Sequence, residues 1–454
     1  MDVAYPRCGG LDVHKDTVVA CVLTSTDAGA PAKAVRTFGT TSAQLRALGD
    51  WLAERAVTHV AMESTGVYWQ PVWNVLDGRF ALLLANAAHV KAIPRRKTDV
   101  GDAEWLAELL RHGLVRGSFV PDRAQRERRE LTRHRAELVT ARTAAVNRLH
   151  KTLEGTNLKL GSVVTDLMGK SGRAILAALL AGDTDPARLA DLAEGRLRAK
   201  RAQLAEALVG ELTAHHRLLL GQHLAHVDFL DAQIVQVEAA LAAHLAPDAD
   251  LVARLDTIPG VGTRTAEVLV AEVGAEVERF ASADHLTSWA GVCPGQDQSA
   301  GKRRSGRTRK GNKALRTALV EAAQAAGRTK DTALGRRYRR LKERLGDKKA
   351  AVAIARHILE IAYHLIKEGT AYREPAPARG PLARRGDHRR HVQALADARD
   401  RATAIEVMGR GAADVVRRLL AEGRLDAIGE EELVAAVDQV VHVGERAGLR
   451  AFSV

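Results

Sequence analysis

The chain has 454 residues, with 68 Lys and Arg against 55 Asp and Glu and a formal net charge of +13. Its 46% hydrophobic and 27% charged residues exclude general disorder, and aromatics at 4% leave a core built from Leu, Val, Ile and Ala. No apolar run approaches the roughly 20 residues that cross a bilayer, the N-terminus lacks a signal-peptide layout, and Cys8, Cys21 and Cys293 form neither a disulfide framework nor a metal knuckle, so a cytoplasmic protein is expected.

Residues 8–13 and 17–23 are β-rich runs joined by the polar turn His14-Lys15-Asp16, the pattern of a hairpin. Residues 33–38 read as a third strand. Ser42 is the expected N-cap of a helix with Leu45, Leu48 and Leu52 on one face. A strand over 59–63, a short helix near 71–76, a strand over 79–84 and a helix over 101–112 follow. Three leading strands and then alternating helix and strand is the element order of the ribonuclease H fold. Actin-like ATPases share it, so the order does not decide function.

Residues 122–246 are helical and rich in Ala, Leu and Arg, with Gly182, Asp183 and Pro186 marking a turn. Val227, Leu230, Ile234, Val237 and Leu241 keep the 3-4 spacing of a coiled-coil seam, and Leu131, Leu138, Ala145 and Leu149 supply a weaker one. A plain helical bundle gives the same pattern. From residue 249 a third unit begins. Thr257-Ile258-Pro259-Gly260-Val261-Gly262, followed by a helix, has the helix-hairpin-helix pattern, in which glycine backbone N–H groups of Gly260 and Gly262 meet a DNA phosphate. A tight turn between packed helices reads identically.

Helices are expected over 313–327 and 350–368. Between residues 298 and 349 there are 18 Lys and Arg against 4 Asp and Glu, a local balance of +14 that leaves −1 for the rest of the chain. Such a block suits a polyanion, because binding releases counterions. Pro375 and Pro377 open a linker to a charged helical tail. The expected domains are 1–121 (α/β), 122–248 (helical, coiled-coil spacer), 249–372 (mainly α, with the helix-hairpin-helix and the basic block) and 373–454 (a charged helical extension).

Four acids stand out by placement. Asp12 lies on the first strand and Glu63 ends the fourth, which runs beside the first in a ribonuclease H sheet. Asp99 and Asp102, three apart at a helix start, project from one face. Converging carboxylates repel and resist ionisation unless cations lie between them. Paired Mg²⁺ ions, with Mn²⁺ as a substitute, suit oxygen ligands and displacement at phosphorus. Lys91, Arg95, Arg96 and Lys97 precede Asp99 and could hold a nucleic-acid backbone over the metals.

Gly10-Leu11-Asp12-Val13-His14-Lys15, Met62-Glu63-Ser64-Thr65-Gly66 and Lys97-Thr98-Asp99-Val100-Gly101-Asp102-Ala103 resemble the DEDD signature of the Piv-type, insertion-sequence-110 transposases. The stretch from Ala290-Gly291-Val292-Cys293-Pro294 through Ser299 to Lys302 resembles that family's second signature, continued by Lys310-Gly311-Asn312 and Leu315-Arg316. The likeness covers residues 8–155 and 250–335. It implies a RuvC-like DEDD domain binding Mg²⁺ through Asp12, Glu63, Asp99 and Asp102, a coiled-coil spacer, and a transposase domain whose serine is the nucleophile. By position that serine is Ser299, with Ser305 as fallback. The resemblance also implies donor and target DNA, a bridge-type RNA encoded by the element, a homo-oligomer built as a dimer of dimers, and nucleoid association when acting. Lys302, Arg303 and Arg304 could neutralise charge growing on the phosphate. Arg307, Arg309, Lys310, Lys313 and Arg316 extend the contact candidates. One departure is Gly295, which stands where relatives commonly carry an arginine.

The expected function is transposition by DNA strand cleavage and rejoining. The alternative is a RuvC-like, metal-dependent, structure-specific endonuclease that uses water instead of serine. An actin-like phosphotransferase is a third reading. It lacks a second glycine-rich phosphate loop and leaves the basic block unexplained.

Overall fold

The structure, a computed structural model, describes residues 2–25, 30–64, 66–85, 99–295, 297–299 and 302–375. At 64, 99–100, 297–299 and 302–304 the description is of the backbone. The chain divides into two compact units, 1–330 with 337–372, and 331–336 with 373–454. In the second, the backbone N–H of Ala333 donates to the Glu374 carboxylate; nearly all of its expected tail lies outside the described residues.

The first unit opens with β1 (Arg7–Val13), β2 (Thr17–Thr24) and β3 (Ala32–Gly39), an antiparallel meander whose first turn is closed by His14 N–H donating to the Thr17 carbonyl at 2.9 Å. Next come α1 (Ser42–Ala53), β4 (His59–Ser64), α2 (Trp69–Leu76), β5 (Ala81–Ala85), α3 (Asp99–Arg111) and the two-residue β6 (Gly117–Ser118). The N-cap of α1 is Thr41, not the expected Ser42. The Thr41 hydroxyl accepts from Gln44 N–H, while Ser42 is already helical. Either hydroxyl suits a cap, and extended backbone at 41 decides between them.

The six strands form one mixed sheet in the order β3-β2-β1-β4-β5-β6, with β4 and β5 parallel to β1. Side chains alternate across a pleated strand, so β1 sends Leu11 and Val13 to one face and Cys8 to the other. The first face packs under α1 and α2 through Leu45, Leu48, Leu52, Val72 and Leu76. The second packs under α3 through Ala103, Leu106, Ala107 and Leu110. This domain is an α/β sandwich with a helix layer on each face.

The rest is mostly helical. α4 (Arg123–Gly155) starts at Asp122, whose carboxylate accepts from Gln125 N–H at 2.7 Å. After it, α5 (Leu160–Val163), α6 (Lys170–Leu180), α7 (Pro186–Asp191) and α8 (Arg201–Ala207) enclose an apolar core, and α9 (Ala214–Leu245) returns along α4. The two long helices run antiparallel: Arg128, Arg135 and Arg142, seven residues apart, pair with Asp248, Glu238 and Asp231. Val227 and Leu230 of the expected seam are buried against α4 beside Ala145 and Leu138, whereas Ile234 and Val237 are half-buried.

α10 (Ala249–Asp256), α11 (Thr263–Val273) and α12 (Ala283–Trp289) lead to a two-stranded hairpin, β7 (Asp297–Ser299) and β8 (Lys302–Ser305). α13 (Lys313–Arg328), α14 (Ala333–Leu345) and α15 (Asp347–Glu368) follow. α14 was expected only as part of a basic cluster. Its arginines hide an apolar anchor: Tyr338 is buried, its ring lying against Gly327. Among the described residues no helix is long and apolar enough to cross a membrane.

Candidate active site

Cys8, Gly10 and Asp12 share the face of β1 that α3 covers. In the parallel register of β1 and β4, Asp12 stands directly beside Glu63. Glu63 has the same orientation as Ala61, which is buried in the core beneath α3. Neighbouring strands are about 4.8 Å apart, so the fold sets these two acids side by side. The Asp12 side chain is 15% exposed, and His14 Nε2 lies 3.1 Å from its Oδ2, the ring nitrogen donating to the carboxylate.

Gly10 determines how closely the third element approaches. A Cβ there would lie 2.2 Å from the Ala103 carbonyl oxygen and 2.5 Å from the Ala107 nitrogen, so only glycine lets α3 rest on the strand. Asp102 immediately precedes Ala103, and its Oδ1 is buried. Lys33 of β3 ties the same helix to the sheet through Glu104 at 2.7 Å. Asp99 is the first residue of α3; its side chain lies outside the described residues. Asp12, Glu63 and Asp102 are thus brought to one end of one sheet face. Among the described residues, no three acidic, histidine or thiol side chains approach closely enough to share a cation. Lys91, Arg95, Arg96 and Lys97 fall outside the described residues.

Ser299 is not in a loop. It is the last residue of β7 and pairs with Lys302 of β8, while Asp297 pairs with Ser305 and a bulge falls between Asp297 and Gln298. Ser305, the fallback, accepts from Arg307 N–H at 3.1 Å. Below the strands the arm is cinched. Gly295 N–H donates to the Arg307 carbonyl at 3.0 Å, and Gly311 lies against Ala290 and Gly291, with room for no Cβ. Arg307, Arg309, Lys310 and Lys313 are exposed and Arg316 is half-buried; none of the five has an ion pair among the described residues. The side chains of Lys302, Arg303 and Arg304 lie outside them.

Gly260 takes a φ of +88° and packs on α13, where a Cβ would meet the Ala322 carbonyl oxygen at 2.4 Å. Packing alone therefore requires that glycine. Gly262 is exposed, with open space around it, at the N-cap of α11.

Residues 9–158 match the DEDD transposase family of IS110, and residues 252–339 match the transposase IS116/IS110/IS902 family. The chain belongs to the IS110 family of transposases. It is accordingly an enzyme of DNA transposition and recombination. The chain is 29% identical to a probable family 20 transposase of Pseudomonas aeruginosa over 322 residues, 69% of this chain and 85% of that protein. It is 32% identical to the transposase for insertion sequence element IS1328 of Yersinia enterocolitica over 160 residues, 34% of this chain and 47% of that one. It is also 32% identical to the pilin gene-inverting protein of Moraxella bovis over 121 residues, 26% of this chain and 37% of that protein.

Two features of this transposase went unread in the sequence. His14 sits in the first motif, but a turn histidine gives no sign that it reaches back to Asp12. Glu272 is fully buried beside two arginines. Its signal was available: a lone acid in the apolar run Leu269-Val270-Ala271-Glu272-Val273.

Proposed function

We propose that this transposase excises and inserts its element by cleaving and rejoining DNA through Ser299, with Asp12, Glu63, Asp99 and Asp102 holding Mg²⁺. The observation that carries the reading is the in-register pair Asp12 and Glu63, with Asp102 delivered to the same sheet face by α3 seated on Gly10. The strand order β3-β2-β1-β4-β5 is that of the ribonuclease H fold and supports a RuvC-like domain. The donor set is all oxygen, which fits Mg²⁺ or Mn²⁺ and not a soft metal. When bound, the cation would neutralise carboxylate and phosphate charge together.

The chain's own part follows from the arm. Ser299 Oγ attacks the scissile phosphorus, an Oγ–P bond forms, the P–O bond to the leaving deoxyribose oxygen breaks, and the serine proton passes to solvent or a carboxylate. Attack by the hydroxyl of the incoming strand reverses these bonds and restores the serine. The exposed cations at Arg307, Arg309 and Lys310 hold the flanking phosphates. Guidance by an element-encoded bridge-type RNA, and assembly as a dimer of dimers with acids and serine supplied by different chains, belong to this reading.

The deciding experiment uses a nicked duplex that traps a covalent intermediate. The full chain should form a phosphoserine adduct that Ser299→Ala and Asp12→Ala lose, with duplex binding retained. Metal-dependent cleavage without any adduct would favour the water-using endonuclease, and recombination by Ser299→Ala removes the nucleophile assignment.

A further inference from the structure

The arm carrying Ser299 stands on two feet, one on each side of the hairpin. The first foot leaves α12 at Trp289 and runs through Gly291; the second passes Gly311 and enters α13 at Asn312. Both feet converge on one ion cluster, centred on a buried carboxylate, that no step of the proposed reaction uses.

Glu272, at 0% exposure on α11, is its centre. Arg133 of α4 donates to both carboxylate oxygens, at 2.7 and 2.9 Å, and Arg129 Nε lies 3.3 Å from Oε2. Arg129 also donates to the Ala271 and Glu272 carbonyls. Asn312 Nδ2 donates to Glu272 Oε2 at 2.6 Å, while Asn312 Oδ1 accepts from Leu315 N–H and so caps α13. The guanidinium of Arg129 lies over the Trp289 ring, 6.0 Å from its centroid. One Arg–Glu pair therefore touches the first foot through Trp289 and the second through Asn312.

The same helix is tied to the carboxylate domain. One turn before Arg129, Arg126 Nη2 donates to Asn74 Oδ1 of α2 at 2.8 Å. The opening turns of α4 thus form a strut between the sheet that bears Asp12 and the base of the serine arm.

Such a cluster is a poor device for stability alone. Desolvating the Glu272 carboxylate and the Arg129 guanidinium is costly, and an apolar set of equal volume often stabilises as well or better. Burial pulls the Arg129 guanidinium down to about 10, which reflects that cost. What the cluster provides is direction, because a bidentate guanidinium and a capping amide each fix one geometry.

We infer that Glu272 is a positioning residue for strand exchange: with Arg129, Arg133 and Asn312 it locks both feet of the Ser299 arm to the strut of α4. The inference rests on the reading of Ser299 as nucleophile. A misplacement of about 1 Å is enough to lower a rate roughly 10²-fold.

The test uses the full chain and excision of its own element from a plasmid, with thermal melting and binding of a fluorescein-labelled duplex measured on the purified protein. Asn312→Ser keeps a capping hydroxyl but is too short to reach Glu272. It should stay folded, with a lowered melting temperature, and bind duplex like the wild type, yet excise at least about tenfold less often. Glu272→Gln should also lose excision. Glu272→Gln combined with Asn312→Asp reverses the hydrogen bond, keeps a carboxylate beside the arginines and a cap on α13, and should return excision to within about tenfold of wild type. That rescue is what a merely structural role does not predict. Wild-type excision by Asn312→Ser overturns the inference, as does a folded double variant no better than Glu272→Gln alone. Should the double variant fail to fold, the Asn312→Ser result decides. An active Ser299→Ala protein would instead remove the reading beneath it, whereas an inactive Ser299→Ala beside a fully active Asn312→Ser removes only this inference.

Discussion

Asp12 and Glu63 are register partners on neighbouring parallel strands, both on the face that α3 covers. Two carboxylates so placed repel one another, and the repulsion is relieved by protonation, by substitution or by a cation. Without metal, Asp12→Asn and Glu63→Gln should each melt higher than the wild type. With Mg²⁺ the order should invert: a hundredfold excess over Kd stabilises the wild type by about 2.7 kcal/mol, and the variants gain little. Thermal melting with and without Mg²⁺ checks both arms; equal Mg²⁺ responses in all three proteins would sink the carboxylate assignment.

Gly10 makes a second, sterically based prediction. Alanine there would bring its Cβ to 2.2 Å from the Ala103 carbonyl oxygen, and backbone cannot yield as a side chain can. Gly10→Ala should destabilise the protein by about 1–3 kcal/mol, as overpacking does. It should also abolish excision, because lifting α3 moves Asp102 away from Asp12. Urea denaturation and plasmid excision measure the two effects. Full activity at reduced stability would show that the height of α3 does not matter to the site.

How far the sequence could be read follows from how local each signal is. Runs such as Leu11, Val13, Val18 and Ala20 alternate with period two, and the α1 leucines recur at helical spacing, so the eight-element α/β order from β1 to α3 was legible. β6 is two residues long and carries no period. α14 was masked by its arginines, with buried Tyr338 as the clue. The neighbouring placement of Asp12 and Glu63 was legible because sheet order puts β4 beside β1. The cluster at Glu272 was not, because Arg133 is 139 residues away in sequence and nothing local pairs them. The hairpin that carries Ser299 was obscured by its Gly, Lys and Arg content, which reads as loop.

Gly295 sits at the base of the arm, and an arginine placed there should do harm. Its N–H bonds to the Arg307 carbonyl at 3.0 Å, and a Cβ would stand 2.1 Å from that same oxygen. Gly295→Arg should therefore spread the base of the arm and lower excision, even though it adds a cation. Limited proteolysis should find the arm cut faster than in the wild type. Improved excision would mean that the added phosphate contact outweighs the clash.

Alkaline stability should depend on two buried thiols. Burial pushes Cys8 up to about 11 and Cys21 up to about 12 from an ordinary value of 9.0. In the unfolded chain both ionise near the ordinary value, so between that pH and the raised values the unfolded state binds fewer protons than the native one. Stability is then fully present below pH 9.0 and falls as pH rises toward 11 and 12. Each thiol contributes about 1.4 kcal/mol per pH unit over its own window. Cys21→Ala should flatten the alkaline limb of a stability–pH curve measured by denaturant unfolding. An unchanged limb would place the alkaline transition elsewhere.

Salt should separate the two sets of arginines. Arg128, Arg135 and Arg142 on α4 are committed to Asp248, Glu238 and Asp231, whereas Arg307, Arg309 and Lys310 on the arm are exposed and have no ion pair among the described residues. A cation that neutralises a phosphate releases counterions and contributes about 0.9 to the slope of log K against log salt. Replacing Arg307, Arg309 and Lys310 by glutamine should thus flatten the slope by about 2 to 3 for duplex DNA, with weakening that is uniform across sequences. Arg135→Gln should leave the slope unchanged and act on stability instead, since it removes an ion pair between the two long helices and leaves Glu238 to Arg264 alone. Fluorescence anisotropy over a salt series distinguishes the two. If the arm variant keeps the full slope, the block between residues 298 and 349 holds its charge for something other than the backbone of DNA.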